Sequence, residues 1–75
     1  MRRAGEVRGL AQGVAVLRCE DDEYPDIGTE VIDESLEMVG RVVDVFGPVE
    51  RPYLAVTTGE DIHAPTLVGE TLYAQ

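Results

Sequence analysis

Few residues in this chain could carry chemistry. Ser35, Cys19 and His63 are each the single example of their kind, and the remaining candidates are carboxylates. The densest acidic run is Glu20-Asp21-Asp22-Glu23-Tyr24-Pro25-Asp26. A calcium loop needs oxygen ligands at alternate positions, a glycine for its sharp turn and a distal Glu. Here the carboxylates are consecutive and Pro25 interrupts them, so the run reads as a solvated acidic loop. His63 lies in an irregular stretch, Gly59–Pro65, with no cysteine or second histidine nearby to complete a zinc site. Ser35 sits in an acidic turn with no base to activate it. Paired acids abound, but none is set apart in apolar surroundings that would make it a general acid. The expectation is a protein with no catalytic residue, metal or cofactor, one that works by binding.

Charge narrows what it binds. The chain has 75 residues, 15 of them acidic and 6 basic, for a net charge of −9. All the basic residues are arginine. Dense negative charge repels itself in dilute salt, and at about 1 M salt the Debye length shrinks to about 3 Å. A lysine-free acidic chain therefore points to a proteome adapted to high internal salt, with an ordinary acidic protein as the alternative. Phosphate binding usually draws on clustered arginine and lysine. In the sequence Arg2, Arg3 and Arg8 fall near the start, while Arg18, Arg41 and Arg51 are spread among other segments. Tyr24, Phe46, Tyr53 and Tyr73 are too scattered to announce a base-stacking platform. Direct, independent RNA binding is not expected.

One cysteine excludes an internal disulfide and fits a reducing cytoplasm. No apolar run approaches the roughly 18 residues that span a membrane. Ala4-Gly5-Glu6 follows the basic start where a signal peptide would need its hydrophobic stretch. A cytoplasmic protein without a membrane partner is expected.

The elements that must position any binding residues are strands. Gly and Pro recur at intervals too short for ordinary helices, and the segments between them favour Val, Thr, Ile and Tyr. Strands are expected at Ala4–Leu10, Val14–Cys19, Thr29–Ile32, Met38–Phe46, Tyr53–Thr58 and Glu70–Ala74. Val31–Val39 has apolar spacings a helix could also use, but a turn between Ile32 and Met38 needs fewer residues. Alternation puts Ala15, Leu17 and Cys19 on one face. In the fourth strand it groups Arg41, Val43 and Val45 against Val42, Asp44 and Phe46. Residues 1–75 then form a single all-β domain. Closing six short strands into a barrel would hide edges that so small a domain otherwise exposes.

Between the fourth and fifth strands, Phe46, Pro48, Val49, Pro52 and Tyr53 form an apolar loop stiffened by two prolines. Pre-organised aromatic anchors are common interface material. The alternative is that Phe46 and Tyr53 fold back into the core.

The segment Val39-Gly40-Arg41-Val42-Val43-Asp44-Val45-Phe46-Gly47-Pro48-Val49, followed by Pro52-Tyr53, resembles the diagnostic core of the Gar-type subunit of archaeal H/ACA guide-RNA pseudouridylation particles. Gly5-Glu6-Val7, Val14–Arg18, Gly28–Asp33 and Val68–Tyr73 extend the resemblance over nearly the whole chain. It implies a six-stranded closed β-barrel of the translation-factor and reductase–isomerase type. It also implies a non-catalytic subunit that docks on a dyskerin-type pseudouridine synthase and aids placement and turnover of substrate rRNA. Guide RNA and substrate rRNA would then be indirect partners. Docking residues carried over by the resemblance are Gly40, Val42, Phe46, Gly47, Pro48, Val49, Pro52 and Tyr53. The competing reading is a stand-alone RNA-binding barrel of the translation or ribosome-maturation type. A small enzyme has little to stand on.

Overall fold

A computed structural model describes residues 2–75. It contains β1 (Arg2–Ala11), β2 (Val14–Arg18), β3 (Glu30–Ile32), β4 (Met38–Phe46), β5 (Tyr53–Thr58) and β6 (Thr71–Ala74). All neighbours are antiparallel. They close into a barrel in the order β1-β2-β5-β4-β3-β6.

Local chemistry sets the connections. Gln12 (φ 46°) and Gly13 (φ 84°) make a two-residue hairpin loop between β1 and β2, and positive φ at both central residues matches the right-handed twist of paired strands. After β3, Asp33 Oδ1 accepts the backbone N–H groups of Ser35 (2.8 Å) and Glu37 (3.0 Å). That side chain holds a tight turn, which is why Val31–Val39 does not form a helix. Between β5 and β6 the expected irregular loop holds a short 3₁₀ turn, Ala64–Leu67, whose Leu67 joins the core.

Inward residues come from every strand: Ala4, Val7, Ala15, Leu17, Val31, Val39, Val42, Leu54, Val56 and Leu72 are buried. Cys19 is buried with them, on the same face as Ala15 and Leu17 as alternation predicts. Each buried Leu or Val is worth about 1.5–3 kcal/mol against leaving it in water, which is the main force holding so small a barrel.

The predicted face assignment of β4 is corrected by a bulge. Val42 pairs with Val56 and Asp44 with Ala55, leaving Val43 as an extra residue. Val43 is exposed and the parity of the strand changes beyond it. Val45 therefore packs against the core on the side of Val42, and Phe46 points outward rather than sharing a face with Val42.

Gly40 is fixed by contact. A Cβ there would lie 1.5 Å from the carbonyl oxygen of Thr57, so β4 and β5 approach in a way only glycine permits.

Candidate functional site

Five strands contribute one residue each to a row across the outside of the barrel. Thr71 on β6 faces Glu6 on β1, and Glu6 faces Arg18 on β2. Arg18 in turn faces Tyr53 on β5, which faces Phe46 on β4. The row has an apolar end and a charged end, joined by Arg18 and Tyr53.

At the apolar end the Phe46 and Tyr53 rings stack with centroids 5.6 Å apart and planes 17° from parallel. On the other flank of Tyr53 the Arg18 guanidinium carbon lies 4.5 Å from the ring centroid. An Arg18 N–H also donates to the Tyr53 hydroxyl. The ring pair contributes about 0.5–1.5 kcal/mol beyond its burial, and the cation over the ring about 0.5–1 kcal/mol. Tyr53 is thus clamped on both sides.

The loop that follows Phe46 is held as firmly. Gly47 has φ 91° and a Cβ there would sit 2.9 Å from the Tyr53 ring, so glycine lets the chain turn tightly beneath the rings. The Arg51 N–H donates to the Pro48 carbonyl (3.2 Å), closing a turn over Val49 and Glu50. Two bonds tie the loop to the end of β2: Cys19 N–H to the Pro52 carbonyl (3.0 Å), and Arg51 Nε to the Cys19 carbonyl (2.9 Å). Val49 stands at the tip, 83% exposed, and Phe46 is 43% exposed.

The predicted docking residues divide accordingly. Phe46, Gly47, Pro48 and Val49 are exposed and Tyr53 is half-buried beside them, forming one knuckle. The other three predicted residues lie outside this knuckle. Val42 has no accessible surface, Pro52 is buried, and Gly40 is half-buried with its backbone against the Thr57 carbonyl. Neither Phe46 nor Tyr53 enters the core.

At the charged end the structure gathers what the sequence scatters. Arg3, Arg8, Arg18 and Arg51, with Glu6, Glu20 and Thr71, line a cavity of about 240 Å³. Two bulges in β1 produce this. Between Arg3 and Gly5 the pairing with β6 skips Ala4, which puts Arg3 and Glu6 on the same outer face despite their odd spacing. Between Val7 and Gly9 the pairing with β2 skips Arg8, which is left exposed. Arg3 pairs with Glu20 and Arg8 with Glu6, each at 2.9 Å. These ion pairs are exposed and contribute little to stability. No sequence signal short of the strand register marks this convergence.

Cys19 lies beneath this region. Burial, with help from the Asp21 carboxylate and against the Arg18 charge, pushes its thiol above the usual range. A buried, protonated thiol is inert packing. Among the described residues no group of three or more His, Cys, Asp or Glu could hold a metal ion.

A small closed barrel presenting a braced apolar knuckle beside an arginine-lined hollow is a binding module. The chain belongs to the family described as the Gar1/Naf1 RNA binding region, whose match covers residues 1–75. A protein of Methanothermobacter thermautotrophicus, named only as an uncharacterized protein, is 26% identical over 76 residues, spanning 97% of this chain and 82% of that protein.

Proposed function

We propose that this protein is a non-catalytic subunit of an H/ACA-type guide-RNA particle. It docks on a dyskerin-type pseudouridine synthase through Phe46, Gly47, Pro48, Val49 and Tyr53, and supports placement and release of substrate rRNA. The observation that carries the reading is the knuckle itself. An exposed valine and a half-exposed phenylalanine stand on a loop with little conformational freedom left to lose, in a chain whose whole length matches the family. Ordering costs at such a surface are small, so apolar burial converts efficiently into affinity.

The test is binding of the purified chain to the synthase by calorimetry. Phe46→Ala and Val49→Asp should each weaken binding by more than about 1 kcal/mol, roughly fivefold, while far-ultraviolet circular dichroism stays that of the folded barrel. Unchanged affinity for both variants refutes the docking surface.

A further inference from the structure

Arg18 stands behind the knuckle rather than on it. We propose that it is a positioning residue for docking: acting through Tyr53, it fixes the angle at which Phe46 meets the partner. The inference rests on the docking surface proposed above and adds a residue which that surface does not contain.

Three layers carry the argument. The Arg18 guanidinium covers one face of the Tyr53 ring, its carbon 4.5 Å from the centroid. Phe46 covers the other face, with centroids 5.6 Å apart and planes 17° from parallel. Strand register imposes this order, since Tyr53 on β5 pairs with Arg18 on β2 and with Phe46 on β4. Of the three, only Phe46 is exposed; Arg18 and Tyr53 are half-buried. A tilt of the Tyr53 ring therefore carries Phe46 with it, and Arg18 is the layer on which Tyr53 rests.

Arg18 does little else for its own chain. Arg3, Arg8 and Arg41 have carboxylate partners, whereas Arg18 has none within ion-pair distance among the described residues. Its Nε is buried without an acceptor among the described residues. The cost of that orphaned donor is of the same size as the gain from its bond to the Tyr53 hydroxyl. A methionine would fill the same space with no donor to satisfy. Only a planar guanidinium both lies on the ring and donates to its hydroxyl. A residue that breaks a folding rule for no gain in folding marks a functional position.

A double-mutant cycle on synthase affinity, measured by calorimetry with the full chain, tests this. Arg18→Met should weaken binding about fivefold while its urea midpoint stays at the parent's or above it. In a Phe46→Ala background the same change should add no further loss, because no ring is left to aim. Arg18→Lys keeps the charge but not the flat fork, and should behave as Arg18→Met does. Arg8→Met removes a charge from the same hollow and should bind as the parent does. In the free chain the ring protons of Phe46, the one phenylalanine, should shift in Arg18→Met and stay in place in Arg8→Met. The proposal is overturned by unmoved Phe46 resonances, by parent-like affinity of Arg18→Met, or by an equal loss in Arg8→Met. Additive losses from Arg18 and Phe46 also overturn it, since they would put Arg18 in direct contact with the partner. A urea midpoint that falls along with affinity would reduce Arg18 to a structural part of the barrel. Parent-like binding by Phe46→Ala and Val49→Asp is a separate failure: it removes the docking surface itself, even with the Phe46 resonances moved by Arg18→Met.

Discussion

Gly40 shows how a single missing methyl can decide a fold. Its Cα lies so close to the Thr57 carbonyl that an added Cβ would overlap the oxygen at 1.5 Å, and both partners are backbone, so no rotamer change relieves the clash. Gly40→Ala should destabilise the barrel by at least about 2 kcal/mol, as overpacking of a rigid site does. Gly9→Ala is the control, since a Cβ there meets nothing within 4 Å; it should stay within about 0.5 kcal/mol of the parent. Urea unfolding of the two variants measures the difference, and equal midpoints would contradict the close approach. Its place in the family-like segment makes Gly40 look like part of the docking surface. The close approach gives it a steric role as well, and a sequence shows a glycine without showing what it must avoid.

Among the elements, the loop joining β4 to β5 carries the proposed docking surface. Gly47→Ala would combine an unfavourable positive φ with pressure on the Tyr53 ring. A loss of about 1–2 kcal/mol in stability is expected, together with a changed near-ultraviolet tyrosine signal as the ring moves off Phe46. An unaltered signal would mean that the ring does not rest on the glycine.

The strands themselves were largely legible. β4 and β5 fall at the predicted bounds and the other four within a residue or two, because Gly and Pro punctuate the chain wherever a strand must stop. The exposed apolar loop was legible too, since Pro48 and Pro52 interrupt the apolar run between two strands. Bulges were not. Val43 and Arg8 look like ordinary strand residues, and only the pairing reveals that each is skipped. The face of Phe46 and the gathering of the arginines both depend on such skips, so local alternation could not reach them.

For the whole molecule the dominant quantity is its charge. With a net charge of −9 on 75 residues, and three ion pairs among the described residues that are all exposed, repulsion is poorly offset at low ionic strength. Raising NaCl from about 0.1 M to about 1 M cuts the Debye length from about 10 Å to about 3 Å. If that relieves about 1 kcal/mol of repulsion, the melting temperature should rise by about 4–8 °C. A flat melting temperature over that range would refute the salt-adapted reading of the composition. The same screening acts in the opposite sense on any contact made through the surface arginines, which weakens as salt rises.

The closed strand order has a consequence for how partners can be recruited. Every strand already has a neighbour on both sides, so the main-chain border left to lend is short, where β1 runs past its pairing with β6 and β4 past its pairing with β3. A partner has only these short stretches along which to continue the sheet, as peptides do at an open sheet border. Recognition then falls mainly to side chains standing on a fixed lattice of strands. New specificities can then arise by exchanging those side chains while the lattice beneath stays as it is.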